Sequence, residues 1–395
     1  MSQSTYDTCL LRTGGGTQNK GKEDGFGLVG LQTNDTLILG DARFAENEAT
    51  TIKRAQFQSK EREQLTKDHS LKFNGGNITL QKDGSITLTQ ERQCRNLELV
   101  HADVVSLTSI RGTIRKSVDP KDQYVAQRAR GAYIATVSQP EAAFDLSQAA
   151  QTTDPKEEEV KRLNKRLDWQ INNPGRGLRF VQLDKNTLKL VIFTDGSFAN
   201  NPDCSSQIGY VICLMDAQDR ANILHWSSIK CKRVTRSVLA SELYAMAHGF
   251  DMGAVIKTTI EAMNILPNQT PLPLVICTDS KSLYDCLVKL GTTAEKRLMI
   301  DIMCLRQSYE RREIAEVKWI EGECNPADAM TKSKPCAALK SLIDTNTIDI
   351  KTNNWVERKE EEPGRKLEKA QKAQKHHKNG DQHAFPESRL GLARH

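Results

Sequence analysis

The stretch that most constrains the fold covers residues 188–197 and reads Leu-Lys-Leu-Val-Ile-Phe-Thr-Asp-Gly-Ser. An almost continuous apolar run bounded by turn residues predicts a strand that is buried on both faces. The pattern returns at residues 274–280, which read Leu-Val-Ile-Cys-Thr-Asp-Ser. Because both runs end in Thr-Asp and a small residue, we expect Asp195 and Asp279 side by side at one edge of a sheet. Two carboxylates at such a short distance repel each other unless a cation lies between them. The two strand ends are therefore the first indication of a metal site.

The apolar pattern of residues 186–345 predicts the order strand, strand, strand, helix, strand, helix, helix, strand and helix. Of the predicted helices, the first has an apolar stripe made of Leu239, Leu243, Met246 and Phe250. Strands and helices in this order predict an α/β fold, with a mixed five-stranded sheet and helices on both faces.

The part that precedes residue 186 predicts an α+β arrangement. Hairpins are predicted at residues 26–39 and at residues 78–88, where Asp83-Gly84 is a strong turn signal. A helix is predicted after Asp41, with an inner face made of Phe44, Ile52 and Phe57. Residues 121–150 and 154–171 are also predicted to be helical, with a break at Pro140 and a domain boundary at Asn173-Pro174-Gly175.

Composition excludes several classes of protein. The ten cysteines include no C-x-x-C pair and lie mostly in apolar runs, which indicates reduced thiols in an intracellular compartment. No apolar stretch is long enough to span a bilayer and no signal peptide is recognised, so we expect a cytoplasmic or nuclear protein that is not secreted. Residues 356–395 contain almost no apolar side chains and are expected to form a disordered charged tail.

Two further acids join Asp195 and Asp279. Glu242 lies inside the apolar stripe of its helix, and Asp328 follows the last strand after Asn325, an N-cap residue, and Pro326. Each acid also has an ordinary interpretation. Glu242 could reach water from the edge of the stripe, and acids such as Asp279 and Asp328 are favoured in the first turn of a helix. Four acids at strand ends and on a facing helix together favour one shared site.

Five segments of the chain resemble a type 1 ribonuclease H domain of the kind that copia-type retrotransposons carry. They are residues 193–197 (Phe-Thr-Asp-Gly-Ser), 226–228 (Trp-Ser-Ser), 240–245 (Ala-Ser-Glu-Leu-Tyr-Ala), 277–282 (Cys-Thr-Asp-Ser-Lys-Ser) and 325–332 (Asn-Pro-Ala-Asp-Ala-Met-Thr-Lys). The resemblance implies an endonuclease that hydrolyses the RNA strand of RNA–DNA hybrids with two Mg²⁺ or Mn²⁺ ions. Its catalytic and metal-binding residues would be Asp195, Glu242, Asp279 and Asp328. Residues 321–324 lack the histidine that many ribonucleases H carry before the last acid.

Residue chemistry agrees with this resemblance at two points. Carboxylates and water select hard divalent cations, so magnesium or manganese is expected rather than zinc. Basic residues cluster before the helix that carries Glu242, where they form either a solvated loop or contacts to phosphates. The predicted nucleic-acid contacts are Lys230, Lys232, Arg233 and Arg236, together with Ser197 and Ser280.

The N-terminal part resembles a copia-type reverse transcriptase. Residues 26–41 resemble its palm hairpin, and residues 132–150 resemble the segment that follows the polymerase. Such hairpins carry paired aspartates, whereas this chain has Asn34 before Asp35 and lacks the upstream fingers and palm strand. We therefore expect a truncated palm and thumb remnant with a degenerate polymerase site. The predicted domains are residues 1–120 (remnant), 121–175 (helical connection) and 186–345 (ribonuclease H-like).

The sequence leaves two other functions open. A nucleic-acid-binding remnant of a decayed retroelement would keep the fold without turnover. A resolvase or integrase would share the sheet but lacks the context of residues 226–228 and 327–332. An RNA–DNA hybrid or another nucleic acid is the expected partner, with other retroelement proteins as further candidates.

Overall fold

The computed structural model describes residues 1–13, 25–33, 35–101, 119–267 and 270–357, with side chains up to residue 352. Met1–Val356 form one compact unit. The second unit, Glu357–His395, lies almost entirely outside the described residues, and so does most of the predicted tail. The predicted domain boundaries stay predictions. In the described ranges, no helix is both long and apolar enough to cross a membrane.

Two small antiparallel sheets form the N-terminal part. The first contains β1 (Ser2–Gln3), β2 (Leu10–Arg12), β3 (Gly27–Gln32) and β4 (Asp35–Gly40), in that order. Helix α1 (Ala42–Arg54) follows, with Asp41 as its N-cap. The second sheet contains β5 (Leu71–Phe73), β6 (Gly76–Leu80) and β7 (Ile86–Thr89), after which comes the short helix α2 (Glu91–Arg95). Both predicted hairpins are confirmed, although Asn34 lies outside the described residues.

The predicted inner face of α1 is wrong at Phe57. Phe44 is buried, but Phe57 is 74% exposed. The helix ends at Arg54, and Gln56 takes a left-handed φ of 57°. A left-handed residue just past a helix end redirects the chain, so Phe57 cannot continue the stripe that Phe44 begins.

Helices α3 (Pro120–Val137), α4 (Ala143–Ala149) and α5 (Glu157–Asn172) form a bundle, with a 3₁₀ turn at Pro140–Ala142. Their shared core contains Tyr124, Ile134, Leu146 and Leu167. The break at Pro140 follows from the missing N–H and fixed φ of proline. We call residues 120–176 the connection segment. Strand β8 (Leu178–Phe180) leaves it and pairs with β7.

The central sheet has the order β11-β10-β9-β12-β13-β14. These strands are β9 (Lys189–Ser197), β10 (Gln207–Met215), β11 (Ala221–Lys230), β12 (Leu274–Thr278), β13 (Glu316–Ile320) and β14 (Thr352–Glu357). Antiparallel pairing joins β11, β10 and β9, whereas β12 lies parallel to both β9 and β13. The five predicted strands are therefore present. The sixth, β14, was not predicted because Thr-Asn-Asn-Trp-Val-Glu has no sustained apolar alternation.

Helices cover both faces of this sheet, as predicted. They are α6 (Val238–Ala262), α7 (Lys281–Val288), α8 (Met299–Glu310) and α9 (Ala337–Thr345). Leu190 and Ile192 of β9 face the core shared with α6, α7 and α8. Their neighbours Val191 and Phe193 face the core shared with α9. Successive side chains of a strand point to opposite faces of the sheet, so a strand that is buried on both faces has an almost continuous apolar sequence.

Gly196 sets the distance between β9 and α6. A Cβ at this position would lie 2.4 Å from the carbonyl carbon of Ser241 and 2.6 Å from the backbone nitrogen of Glu242. The backbone of α6 can therefore lie directly on the strand that carries Asp195. This close contact is one of the features that brings Glu242 to the sheet edge.

We predict that Gly196→Ala destabilises the protein by about 1–3 kcal/mol or more, because α6 must move away from β9 to admit the methyl group. Gly175→Ala is the matched control, since a Cβ there has no neighbour within 4 Å. The control should change the free energy of unfolding by less than about 1 kcal/mol. Urea denaturation of both variants measures the difference. Equal stabilities of the two variants would contradict the close contact.

Candidate metal centre

The fold places the four acids at one edge of the central sheet. Asp195 lies near the C-terminal end of β9, and Asp279 comes directly after β12. The two strands are parallel, with Thr194 beside Thr278, so both aspartates leave the sheet at the same edge. Glu242 lies in the first two turns of α6, and Asp328 lies in the 3₁₀ turn Pro326–Met330 that follows β13.

Three of these acids form a compact cluster. Carboxylate oxygens of Asp195, Asp279 and Asp328 all lie within 4.8 Å of one another. Asp195 is buried, and Asp279 and Asp328 are half-buried. Glu242 stands outside this group of three, but it is buried and near enough for their charges to act on it. We call these four residues the acid cluster.

Burial and mutual repulsion both disfavour the charged forms of the cluster. Burial, followed by the charges of Asp195 and Asp279, raises the pKa of Glu242 to about 9. Burial and the charge of Asp195 raise the pKa of Asp328 to about 6, and the same two causes raise the pKa of Asp279. The site therefore favours a positive charge at this sheet edge.

The side chain of Lys332 supplies such a charge from within the protein. Its Nζ lies 2.8 Å from Asp328 Oδ1 and 3.4 Å from Asp195 Oδ1. The hydroxyl of the fully buried Thr331 donates to the other oxygen of Asp195. These two neighbours compensate part of the repulsion around Asp195.

The remaining carboxylate oxygens fit a hard cation. Glu242 Oε2 and Asp279 Oδ1 are buried and have no hydrogen-bond partner among the described residues. Buried polar atoms without partners are costly, and a divalent cation would satisfy both. An all-oxygen donor set suits Mg²⁺, Mn²⁺ or Ca²⁺ rather than zinc. The residues present therefore fit the implied metal.

The predicted nucleic-acid contacts differ in the partners that they have among the described residues. Lys230 forms an ion pair with Asp203. Arg233 pairs with Asp301 at 2.9 Å and stacks over the ring of Tyr244. The remaining predicted basic residues, Lys232 and Arg236, are both exposed. Ser280 caps α7 by accepting from the backbone N–H of Leu283 at 3.4 Å, and Ser197 is half-buried at the end of β9.

Sequence reasoning missed the roles of Thr331 and Lys332. Both were part of the segment that suggested the family, but neither was assigned a contact. The spacing of Asp328 and Lys332, four residues apart, was the available signal, although that spacing usually marks helix-surface pairs. The sequence could not show that the same ammonium group reaches Asp195.

The degenerate polymerase site is described only at Asp35. This residue begins β4 and is exposed, while Asn34 lies outside the described residues. The resemblance of this hairpin to a polymerase palm stays a prediction.

No family model matches the chain. Curated relatives include the Transposon Ty1-ER2 and Ty1-BL Gag-Pol polyproteins of Saccharomyces cerevisiae. Each is 24% identical over 197 residues, which cover 49% of this chain and 10% of the polyprotein. The alignment thus spans about a tenth of the length of these relatives. The chain is similar to retrotransposon Gag-Pol polyproteins, as its motifs predicted.

Similar solved structures include RNase H1 from Halobacterium salinarum NRC-1, at 16% identity and a TM-score of 0.29, covering 39% of this chain and 98% of that one. Another is LC11-RNase H1 in complex with RNA/DNA hybrid, at 21% identity and a TM-score of 0.29, covering 36% and 94%. These TM-scores are too low to support an inference about this chain. The order of strands and helices along residues 186–345, the mixed pairing of the sheet and the helices on both faces agree with the predicted α/β fold.

The raised pKa of Glu242 predicts a pH dependence of stability in the metal-free protein. The folded protein keeps this proton over a range in which the unfolded chain has released it, so stability falls as pH rises from about 4.5 to about 9. Glu242→Gln removes this contribution, which is at most about 1.4 kcal/mol per pH unit. We expect the free energy of unfolding of the variant to rise steadily relative to that of the wild type between about pH 5 and about pH 8.

Urea denaturation in EDTA measures this effect at both pH values. Glu313→Gln is the matched control, because Glu313 is exposed and precedes the N-terminal end of β13, whereas the acid cluster lies at the C-terminal end of that strand. The control should follow the wild type at each pH. A Glu242→Gln variant that also follows the wild type would show that Glu242 is not held protonated.

Proposed function

We propose that residues 186–345 act as a magnesium-dependent endonuclease that hydrolyses the RNA strand of RNA–DNA hybrids. The observation that carries this proposal is the acid cluster, in which three carboxylates lie within 4.8 Å of one another beside a fourth that is buried. Similarity to retrotransposon Gag-Pol polyproteins supports the choice of nucleic acid as substrate.

Four carboxylates would hold the metal. We infer that Asp195 is the central carboxylate, since its charge raises the pKa of Glu242, Asp279 and Asp328 alike. Asp195 would contribute to both metal positions, with Glu242 and Asp279 completing one position and Asp328 the other. When bound, two Mg²⁺ ions would activate water and stabilise the leaving 3′-oxygen of an in-line displacement. Thr331 orients Asp195, and Lys332 neutralises Asp195 and Asp328 while no divalent cation is bound.

The exposed basic residues before α6 would bind the substrate backbone. Lys232 and Arg236 lie on the loop that leads into the helix of Glu242. Contacts of this kind neutralise phosphates without reading sequence, and they weaken as salt rises. Hybrid recognition would then depend on A-form shape and 2′-hydroxyl groups.

We propose no polymerase activity for the N-terminal part. Asn34 cannot supply the charge that the paired aspartates of a polymerase hairpin supply to a cation. The competing proposal for the whole chain is a nucleic-acid-binding remnant without turnover. Measured cleavage separates the two.

We predict that Asp195→Asn lowers Mg²⁺-dependent hybrid cleavage by at least about 100-fold, because outer-shell partners of a metal alone are worth roughly 10–100-fold. Cleavage of a labelled RNA–DNA hybrid is followed on a gel, with and without Mg²⁺. Asp219→Asn is the matched control, since this exposed residue lies in the β10–β11 turn at the opposite end of the sheet. The control should cleave at the wild-type rate.

Two outcomes would overturn the nuclease proposal. An Asp195→Asn variant that cleaves as fast as the wild type would make the acid cluster structural. A wild type that binds hybrids tightly but cleaves none in Mg²⁺ or Mn²⁺ would favour the binding remnant.

We further predict that the double variant Lys232→Gln with Arg236→Gln binds hybrids more weakly. The slope of the logarithm of the association constant against the logarithm of salt concentration should become less steep by about 2. The matched control is Lys185→Gln with Arg311→Gln, which removes two exposed charges at the opposite edge of the sheet. Fluorescence anisotropy over a salt series, in EDTA to prevent cleavage, gives both slopes. Equal slopes for the two double variants would exclude this loop as a phosphate contact.

A further inference from the structure

The side chain of Gln207 joins the connection segment to the sheet. It is fully buried at the start of β10. Its Nε2 donates to Ser147 Oγ and to Ser228 Oγ, both at 2.9 Å. Its Oε1 accepts from Gln151 Nε2 at 3.2 Å and from Asn201 Nδ2 at 3.3 Å. A glutamine amide offers two donor hydrogens and two acceptor positions, so all four are used.

This junction continues to the acid cluster. Ser228 Oγ donates to the carbonyl of Met330 at 2.5 Å. Met330 ends the 3₁₀ turn that carries Asp328, and it is followed directly by Thr331 and Lys332, which contact Asp195. A hydrogen-bonded route therefore runs from Ser147 of α4 through Gln207 and Ser228 to the segment that holds Asp195 and Asp328.

The segment needs such support because it is short. A 3₁₀ turn has poorer hydrogen-bond geometry than an α-helix and stabilises its own orientation weakly. Gly209 of β10 packs so closely that a Cβ there would lie 2.2 Å from Met330 Cβ. Asn200 donates to the carbonyl of Thr331 at 3.2 Å. The position of residues 328–332 is thus set by β10, β11 and the loop after β9.

We propose that Gln207 is a positioning residue through which helix α4 of the connection segment sets the affinity of the acid cluster for divalent cations. This inference rests on the proposed function and extends it, since it makes the connection segment part of the nuclease. Loss of the Gln207 amide frees Ser228 to rotate away from Met330. Asp328 and the Thr331–Lys332 pair then lose their fixed position relative to Asp195.

Two variants test the proposal. Gln207→Met keeps the length of the side chain and removes every hydrogen bond that it makes. Ser147→Ala removes only the contact from α4, and it decides the question alone if Gln207→Met fails to fold. Arg176→Met is the matched control, because it breaks the ion pairs of Arg176 with Glu141, inside the connection segment, and with Asp344 of α9. In the described part of the chain, the side-chain hydrogen bonds of Arg176 reach Glu141 and Asp344 and do not include Gln207, Ser228 or Met330.

The experiment is isothermal titration of the whole protein with Mg²⁺ in the absence of nucleic acid, with melting temperatures in EDTA measured in parallel. We expect Gln207→Met and Ser147→Ala to raise the dissociation constant for Mg²⁺ about three- to tenfold, somewhat less than loss of a direct outer-shell partner. Arg176→Met should lower the melting temperature while the dissociation constant stays within about twofold of the wild-type value.

Three results would overturn the inference. Wild-type Mg²⁺ affinity in both test variants would show that the junction is structural only, and the proposed function would stand. An equal loss of affinity in Arg176→Met would show a general effect of destabilisation. A wild type that binds no Mg²⁺ would overturn this inference and the proposed function together.

Discussion

Repulsion between carboxylates is the constraint on which the arrangement of the central sheet edge depends. β9 and β12 lie side by side in the sheet, and each has an aspartate near or just beyond its C-terminal end. The close packing of α6 over Gly196 then adds Glu242, whose pKa rises to about 9. Lys332 and Thr331 offset part of this repulsion from one side. Two buried carboxylate oxygens of the cluster have no hydrogen-bond partner among the described residues, so this sheet edge favours a cation where the proposed chemistry needs one.

The same edge connects to parts of the chain that lie far away in sequence. Trp226 donates to the carbonyl of Ala135 at 2.9 Å, and the Asn222 amide exchanges two hydrogen bonds with the backbone of Val181. The connection segment, through Ala135, and the chain just beyond it, through Val181, are therefore held against β11 by polar contacts as well as apolar ones. Buried hydrogen bonds of this kind are costly to break singly, since each leaves a partner unsatisfied. This is why we treat the helices before residue 176 as support for the site.

Periodicity and turn chemistry predicted most of the fold, because the strands of the central sheet are buried on both faces and their apolar runs are unambiguous. The same logic predicted the hairpin at Asp83-Gly84 and the helix break at Pro140. It failed at Phe57, where the end of α1 is set by the backbone of Gln56, and at β14, where pairing with β13 overrides a polar sequence. Strand ends predicted that Asp195 and Asp279 would meet. The contacts of Lys332 with Asp195 and of Gln207 with Ser147 could not be predicted, because each joins residues at least 60 positions apart in sequence through side chains alone.

The central claim is that the acid cluster is a divalent cation site that Lys332 neutralises in the metal-free protein. Anomalous diffraction from crystals soaked in Mn²⁺ tests it most directly, because manganese is identified by its scattering and its ligands are seen. The account predicts manganese bound to Asp195, with the Lys332 ammonium withdrawn from both Asp195 and Asp328. Crystals that contain manganese elsewhere, or none, while Lys332 keeps its contacts with these two aspartates, would contradict it.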